Sequence, residues 1–403
     1  MTLLLSIILL GCLLGMLHTY VLYPWWVVRK AKAAKEARPQ VQRAGRKGID
    51  NWPPVFVLMA AHNEDLVIAA KLTSLAVQDY PGQLQFLIGS DNSTDNTNQI
   101  LTDWAAKDGR FRPTLFESRQ GKPGIINQLA AQAGPQGIYL ITDASVMLKP
   151  SVITALVRPM IADSAIGVVD TTMVQLGAQA KGIGRPEEQY INREVSIKRA
   201  EGKLWGAMIG PFGGCWAIRA EAFRPVPDNF LVDDFYLCMA AYEQGFRGVS
   251  CPEAIVEEGV GQTLSDEFRR KVRISSGNWQ NLLRFRHLWW PFWQNPLAFA
   301  FFSHKILRWW TPFLMLIGLV CAILIITSLG YPNNYWWWLT LTYLLGGIGL
   351  LLVLDLVLSR FNVHFKPARF TRYFLAMNAA LLVGFYRYLT GIKSNVWQPS
   401  QRH

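Results

Sequence analysis

The stretch LITDASVMLKP, residues 140–150, decides how the middle of the chain is interpreted, because an apolar run of strand length ends there on one carboxylate, Asp143. A second apolar run, LQFLIGS at 84–90, is followed in the same way by Asp91. Strands that alternate with helical patterns predict an α/β domain with a mostly parallel sheet. Ligands of such sheets bind beyond the carboxyl ends of the strands. We therefore expect Asp91 and Asp143 on one rim of a sheet.

The other elements of this domain follow from the same pattern. The domain opens with a strand in PPVFVLMAAHNE (53–64), and a helix is predicted from about residue 64 to 77. A third, short strand is predicted at 114–117, and GKPGIINQLA (121–130) is interpreted as a loop followed by a helix. We assign residues 51–285 to this domain.

Two long stretches without Asp, Glu, Lys or Arg flank the domain, at 1–28 and 309–354. Each is longer than the roughly 20 residues that a helix needs to cross a bilayer. We predict a retained transmembrane anchor at 1–28 in preference to a cleaved signal peptide, because no basic residue precedes the apolar run. The remaining predicted segments are an interfacial segment at 286–311, transmembrane helices at 312–330 and 335–358, a spanning or re-entrant helix at 373–392, and a tail at 393–403.

The distribution of charge predicts the topology. Residues 29–49 carry eight Lys or Arg and one Glu, so we predict a basic linker at 29–50 on the cytoplasmic side. The domain after it is then cytoplasmic, in a multi-pass protein of a bacterial-type plasma membrane. We explain the net charge of +12 by this topology and by attraction to anionic lipid headgroups. Nucleic-acid binding is disfavoured, because no recognised nucleic-acid-binding module accompanies the charge. Five scattered cysteines give no zinc pattern.

Several ligand classes are disfavoured by the motifs. Gly121-Lys122 is not a P-loop, since Pro123 stands where Ser or Thr would bind magnesium. The Gly-x-Gly-x-x-Gly fingerprint of nicotinamide-binding proteins is missing. His62 is interpreted as a loop histidine and not a zinc ligand, because no Pro-Cys-x-x-Cys follows it.

Taken in chain order, six motifs resemble those of the membrane-embedded glycosyltransferases of family 2. This inverting group includes the synthases of hyaluronan, cellulose and poly-N-acetylglucosamine, and several lipid glycosyltransferases. The resemblance implies a nucleotide-sugar-binding, Rossmann-like GT-A domain flanked by transmembrane helices. The motifs are AAHNE (60–64), SDNSTDNT (90–97), GKPGIIN (121–127), TDAS (142–145), GPFGGCWAIR (210–219) and VDDFYL (232–237).

The resemblance also implies roles for individual residues. Asp234 is expected to be the catalytic base with Asp233 in support, and Gly213 and Gly214 to face the acceptor. Asp143 and Ser145 are expected at a Mg²⁺ or Mn²⁺ site. The residues expected to bind the donor are Asn63, Glu64, Asp91, Lys122, Asp143, Arg270 and Arg273.

These residue types suit the chemistry of a nucleotide sugar, for which a UDP-sugar is expected. Asp91 can accept hydrogen bonds from the base or ribose, and Lys122 offsets phosphate charge. A metal ion at Asp143 stabilises the diphosphate as it leaves, while a carboxylate takes the proton of the attacking acceptor hydroxyl. One base and no evident covalent nucleophile imply a single displacement with inversion.

Two departures from the family pattern affect the expected activity. Ser145 stands where a second aspartate is expected, and a hydroxyl is a poorer ligand for a hard cation. The Gln-x-x-Arg-Trp motif of processive synthases is replaced by Arg-x-x-Arg-Ile, residues 270–274, with Trp279 five residues later. A role for Arg270 at the membrane surface and a role at the diphosphate both remain open.

These departures order the candidate functions. Transfer to a lipid or lipid-linked acceptor in cell-envelope glycan synthesis is favoured over processive polysaccharide synthesis. The candidate from another class is a non-catalytic membrane scaffold with a degenerate glycosyltransferase fold. The expected partners are the donor, the lipid or glycan acceptor and membrane lipids, with no nucleic acid.

Overall fold

The computed structural model describes residues 1–34, 51–176, 184–259, 264–330, 332–361, 363 and 365–392, with no side-chain description for 175, 176, 184–191 and 264. Most of the predicted basic linker and nearly all of the predicted tail lie outside the described residues.

The chain opens with a long helical segment. Helix α1 (Thr2–Leu17) continues through a π-helical turn (His18–Leu22) into α2 (Tyr23–Ala33). Two basic residues occupy the last turn of α2, where they complement the negative end of the helix dipole.

The globular part contains eight strands and seven of the helices in the described chain. The strands are β1 (Val55–Ala61), β2 (Leu84–Asp91), β3 (Phe111–Phe116), β4 (Ile138–Asp143), β5 (Val146–Leu148), β6 (Ile166–Leu176), β7 (Cys215–Arg219) and β8 (Arg247–Gly259). The helices are α3 (Ile68–Ala76), α4 (Thr97–Lys107), α5 (Gly121–Ala133), α6 (Val152–Ala162), α7 (Gly184–Trp205), α8 (Asp233–Glu243) and α9 (Leu264–Arg284).

The strands form one mostly parallel sheet in the order β3-β2-β1-β4-β7-β6-β8-β5. Strands β1 to β4 run parallel, whereas β7 is antiparallel to β4 and β6, and β5 is antiparallel to β8. Because the carboxyl ends of β2 and β4 lie on either side of β1, Asp91 and Asp143 share one rim of the sheet. The α/β fold with this shared rim is the one predicted from the sequence.

Both faces of the sheet are covered, as the continuous apolar runs of parallel strands require. Alternate residues of β1 point to opposite faces. Val57 packs in the core beneath α3 and α6, while Leu58 packs in the core beneath α5, α7 and α8. The second core also takes in Tyr23 of α2, so the N-terminal helical segment packs against the globular domain.

The C-terminal part is helical. Helices α10 (Arg286–Trp289), α11 (Pro296–Phe301) and α12 (Leu307–Trp309) are short, with a π-helical turn (Phe302–Ile306) between the last two. Helices α13 (Thr311–Ser328), α14 (Tyr335–Arg360) and α15 (Lys366–Leu389) are long. In the described chain, three helical segments are long and apolar enough to cross a membrane, namely Thr2–Ala33, Thr311–Ser328 and Tyr335–Arg360.

Helix α15 is held by polar contacts on two sides. Ser275 and Ser276 of α9 donate hydrogen bonds to carbonyl oxygens of α15, at 2.9 and 3.0 Å. Arg372 forms an ion pair with the buried Asp355 of α14, with Nε 2.9 Å from Oδ2. These contacts fix α15 between an amphipathic helix of the domain and a long apolar helix.

Two local predictions were wrong. Strand β3 begins at Phe111 and not at Thr114. The segment from Gly121 is helical from its first residue, since Pro123 falls in the first turn, where its missing N–H has no partner to lose. Asp233 and Asp234 both lie in the first turn of α8, where the helix dipole favours negative charge.

Candidate active site

Lys122 and Asp143 form the centre of a cluster of charged residues at the rim. Lys122 Nζ lies 2.6 Å from Asp143 Oδ1, 3.9 Å from Asp233 Oδ2 and 3.3 Å from the carbonyl oxygen of Gly213. Although burial opposes the charge, Asp143 and Asp233 raise the pKa of Lys122. The ammonium group is therefore charged at neutral pH and holds the carboxylates of two elements together.

The pKa of Asp234, another carboxyl group of this cluster, is raised by its surroundings. Burial, and then the charge of Asp233, raise its pKa to about 6, and the charge of Lys122 opposes this rise. Its Oδ1 accepts a hydrogen bond of 2.7 Å from the N–H of Phe235. A carboxyl group with a pKa near neutrality suits a general base.

The backbone of Gly213 lies directly against Asp234. A Cβ atom at Gly213 would lie 3.0 Å from Asp234 Cγ and closer still to Oδ2. At Gly214, a Cβ would meet the ring of Phe212 at 2.6 Å. Both glycines reach the rim because β7, which follows them, pairs antiparallel with β4. The sequence motif thus needs glycine for close approach at both positions.

Asp91 makes other contacts than those predicted for it. Its carboxylate is fully buried and accepts hydrogen bonds from the N–H groups of Gln120 and Gly121, at 2.6 and 3.2 Å. Arg119 Nε lies 3.0 Å from its Oδ2. It fixes the start of α5, and thereby Lys122, the second residue of that helix.

His62 belongs to the same network. Its Nδ1 lies 2.8 Å from the carbonyl oxygen of Asp91, and its Nε2 lies 2.6 Å from Arg119 Nη1. Burial, and then the charge of Arg119, lower the pKa of His62. The sequence did not predict these partners, because Arg119 lies just before the motif that was recognised.

Asn63 and Glu64 join the ends of β1 and β2. Asn63 adopts a positive φ of 53°, and its side-chain oxygen accepts a hydrogen bond of 2.8 Å from the N–H of Thr94. The N–H of Glu64 donates to the hydroxyl of Thr97 at 2.9 Å. Asn63 and the Glu64 N–H thus hold residues 93–97 against the end of β1, and these contacts shape the rim beside the cluster.

The residues predicted for a metal ion form a sparse set of oxygen ligands. Asp143 is partly exposed, with 37% of its side chain accessible. Ser145 Oγ lies 3.4 Å from Oε1 of the buried Glu258, a neighbour that the sequence did not predict. Within the described residues, no group of three or more His, Cys, Asp or Glu side chains is arranged to hold a metal. This set suits a hard cation that takes further oxygens from a bound diphosphate.

Arg270 and Arg273 differ in their surroundings. Arg270 forms an ion pair with Glu267, with Nε 2.7 Å from Oε2. Arg273 lies within electrostatic range of the rim cluster. Burial lowers the pKa of Arg273, while the charges of Asp233, Asp143 and Asp234 oppose this effect. Trp279 packs against aromatic rings of α13 and α15.

Lys71, which was not predicted from the sequence, forms hydrogen bonds with residues on both sides of Asp143 in the chain. It is fully buried on α3, and its Nζ donates to the hydroxyl of Thr142 at 2.8 Å and to the carbonyl oxygen of Val146 at 2.5 Å. Burial lowers its pKa to about 8. Because these acceptors flank residues 143–145, Lys71 fixes the turn that carries Asp143 and Ser145.

A buried polar network connects the glycine segment to the N-terminal helix and the π-helical turn before α12. Glu201 of α7 accepts hydrogen bonds from the N–H of Ile209, at 3.2 Å, and from the hydroxyl of Tyr23, at 2.8 Å. His304 Nδ1 lies 2.8 Å from the same glutamate. Asp170 holds the next part of the segment through the N–H of Phe212, at 2.7 Å.

Family models match most of the region that contains these residues. Residues 56–226 match the model described as glycosyl transferase family 2, and residues 194–354 match the model described as glycosyl transferase family group 2. The two matches together span residues 56–354. The rim cluster therefore lies in a region that matches glycosyltransferase models, as the motifs predicted.

Sequence relatives carry related names at modest identity. An N-acetylglucosaminyltransferase of Rhizobium leguminosarum bv. viciae is 26% identical over 274 residues, which are 64% of this chain and 63% of that protein. The probable glycosyltransferase YdaM of Bacillus subtilis (strain 168) is 23% identical over 373 residues, 88% of this chain and 86% of that protein. The chain thus spans less than two thirds of the length of the first of these relatives.

A solved structure shares the glycosyltransferase GT-A fold. The mannosyltransferase PcManGT from Pyrobaculum calidifontis, in complex with GDP-Man and Mn²⁺, superposes with a TM-score of 0.69 at 20% identity. The similarity covers 96% of this chain and 99% of that one. The shared fold therefore includes the long helices as well as the glycosyltransferase domain.

Proposed function

We propose that the protein is a membrane-bound inverting glycosyltransferase that moves a sugar from a nucleotide-sugar donor to a lipid or lipid-linked acceptor in cell-envelope glycan synthesis. The observation that carries this proposal is the convergence of Lys122, Asp143, Asp233 and Asp234 beside Gly213, at the carboxyl ends of parallel strands. A partly buried cation, a partly exposed carboxylate and a carboxyl group of raised pKa suit the three functions that sugar transfer from a diphosphate requires.

Each residue has a defined part in the proposed reaction. Lys122 binds the donor diphosphate and offsets its charge. Asp143, with Ser145 beside it, holds Mg²⁺ or Mn²⁺, which stabilises the leaving diphosphate when bound. Asp234 accepts the proton of the acceptor hydroxyl at its carboxylate as that hydroxyl attacks the anomeric carbon. One displacement inverts the configuration at that carbon.

The choice of donor rests on the relatives. The first sequence relatives are named N-acetylglucosaminyltransferases, whereas PcManGT was solved with GDP-Man. We propose a UDP-sugar as donor, with UDP-N-acetylglucosamine as the first to be tested.

The membrane placement rests on the three long apolar helical segments. Because residues 29–49, which follow the first charge-free stretch, carry eight basic residues, the glycosyltransferase domain is proposed to face the cytoplasm. A lipid acceptor is favoured over a growing polymer because the sequence has no Gln-x-x-Arg-Trp motif, and Trp279 packs against Phe313 and Phe385 of the long helices.

The test of this proposal is nucleoside diphosphate release by the detergent-purified protein, with membrane lipid extract as acceptor. A panel of UDP-, GDP- and dTDP-sugars is incubated with Mn²⁺, with Mg²⁺ or with a chelator. We expect release from one donor class, abolished by the chelator. No release from any donor under these conditions would support the scaffold alternative and reject the transferase.

The dependence of the rate on pH follows from Asp234. Its pKa is raised to about 6, and the base must be unprotonated to accept a proton. We therefore expect kcat/KM to fall as pH decreases through about 6, tenfold per pH unit well below it. A kcat/KM that stays constant down to pH 5 would contradict the assignment of Asp234 as base.

Replacing Lys71 tests the support of the metal-binding turn. Lys71→Met removes both hydrogen bonds beneath residues 143–145, and loss of such outer contacts lowers metal affinity about tenfold or more. We expect a correspondingly higher Mn²⁺ concentration for half-maximal rate, measured by diphosphate release. Lys149→Met, which removes an exposed ion pair with Glu257, is the control. Unchanged Mn²⁺ dependence with only a lower Tm would show that Lys71 serves stability alone.

A further inference from the structure

A groove that the catalytic cluster does not use lies between the N-terminal helical segment and α7. It has a volume of about 640 Å³. Tyr20, Pro24 and Val28 line one side, and Ile197 of α7 lines the other. These four residues form a mostly apolar wall, which a small polar ligand would leave without a contact partner. We call it the Arg193 groove, after the basic residue at its α7 side.

Three cations line the Arg193 groove together with these apolar residues. They are Arg29 and Lys32 of α2 and Arg193 of α7. Within the described residues, none of the three has a carboxylate partner in an ion pair. Arg29 instead stacks over Trp25, with its guanidinium carbon 5.4 Å from the ring centroid.

The carboxylate next to Arg193 in sequence is already bound elsewhere. Glu194 accepts a hydrogen bond of 2.7 Å from Lys305 and pairs with Arg308 and His304. Burial, and then the charge of Arg308, lower the pKa of Arg193, and the charge of Glu194 opposes this effect only in part. The groove therefore has an excess of positive charge, which an anion would relieve.

The position of the groove along the helix adds a second constraint. It begins at Tyr20, within the charge-free run that ends at Val28, and extends to Lys32. Trp25 and Trp26 are exposed at the same level, as is typical of side chains at a membrane–water interface. If α1 crosses a membrane as proposed above, the apolar part of the groove lies at acyl depth and its cations at headgroup depth.

We propose that the Arg193 groove binds an anionic phospholipid, with the phosphate at Arg29, Lys32 and Arg193 and an acyl chain against the wall formed by Tyr20, Val28 and Ile197. A free phosphate ion would leave the apolar wall unused, and a neutral lipid would leave the cations uncompensated. Basic pockets beside transmembrane helices on the cytoplasmic side are suited to such headgroups. This inference rests on the proposed membrane placement and is independent of the catalytic step.

The test is lipid retention by the full chain in a non-ionic detergent, followed by native mass spectrometry. Phosphatidylglycerol and phosphatidylcholine with identical acyl chains are titrated separately. We expect the wild type to bind one phosphatidylglycerol in preference to phosphatidylcholine. Since each basic residue near a membrane surface contributes about a fivefold gain in affinity for anionic lipid, Arg193→Gln should weaken phosphatidylglycerol binding about fivefold.

Two further variants separate the groove from general surface charge. Ser196→Trp places a large ring in the groove and keeps every charge, so it should abolish the bound lipid. Arg360→Gln removes an exposed cation at the end of α14, outside the groove, and should bind phosphatidylglycerol as the wild type does. Tm and diphosphate release are measured for every variant as controls. We expect both to match the wild type, because the groove is not part of the catalytic cluster.

The outcomes separate this proposal from the proposed enzymatic function. Equal binding of both lipids by the wild type, unchanged binding by Arg193→Gln, or an equal loss in Arg360→Gln would each overturn it. Any of these results leaves diphosphate release and the catalytic assignment unaffected. Conversely, selective lipid binding by a protein that releases no diphosphate would support the groove and reject only the transferase.

Discussion

Asp234→Asn is expected to lower the rate of sugar transfer by roughly 10²- to 10⁴-fold, the usual contribution of a general base. The amide keeps the size of the side chain and its hydrogen bond from the N–H of Phe235, yet it has no basic oxygen to take the proton of the acceptor. Donor binding should change little, because Lys122 and Asp143 remain in place. The measurements are kcat for diphosphate release and the donor Kd.

The matched control is Asp228→Asn, which removes an exposed carboxylate in the loop before α8. It should leave kcat within about twofold of the wild type, as expected for a surface substitution. If Asp234→Asn retained more than about a tenth of the wild-type kcat, the loss would be smaller than a general base contributes. Asp234 would then not be the base. Asp233, whose Oδ2 is buried without a hydrogen-bond partner among the described residues, would be the next carboxylate to replace.

Gly213→Ala is expected to reduce kcat about 10²-fold without unfolding the protein. The new Cβ would lie closer to Oδ2 of Asp234 than van der Waals contact allows, so the carboxylate must move. A displacement of about 1 Å in a reacting group is enough for a loss of this size. The measurements are kcat and the Tm of the detergent-purified variant.

Two comparisons make this prediction specific. Gly109→Ala adds a methyl group with no atom within 4 Å and should leave kcat unchanged. In the double variant Gly213→Ala/Asp234→Asn, little loss should be added to that of Asp234→Asn, because both changes act through one carboxylate. Independent, multiplicative losses would show that Gly213 acts by another route, such as direct contact with the acceptor.

Part of this site was predictable because a parallel sheet converts sequence position into spatial position. Asp91 and Asp143 each follow an apolar run, and parallel strands bring such ends to one rim. The joining of Asp234 to the same cluster was expected only from resemblance to a family. No periodicity in the sequence indicates that β7 enters the sheet antiparallel beside β4 and brings Gly213 to Asp143.

The remainder could not be predicted because buried polar contacts leave no local pattern. Lys71 lies on α3 among Leu72 and Leu75, and nothing in its spacing distinguishes it from a lysine that reaches solvent. Glu201 likewise has the sequence context of a surface residue of a charged helix. For Asp91, the sequence did not indicate its three internal hydrogen bonds, because Arg119 and the start of α5 are separated from it by almost thirty residues.

The central claim is that this cluster transfers one or a few sugars to a lipid or lipid-linked acceptor, and radiolabel transfer tests it most directly. UDP-N-acetyl[¹⁴C]glucosamine is incubated with the purified protein, membrane lipid extract and Mn²⁺, and the butanol-extractable product is sized and its anomeric linkage determined. The account predicts a lipid-soluble product that carries one or a few sugars with inverted configuration, absent with Asp234→Asn. A long water-soluble polymer, a retained configuration or an unchanged product from Asp234→Asn would contradict it.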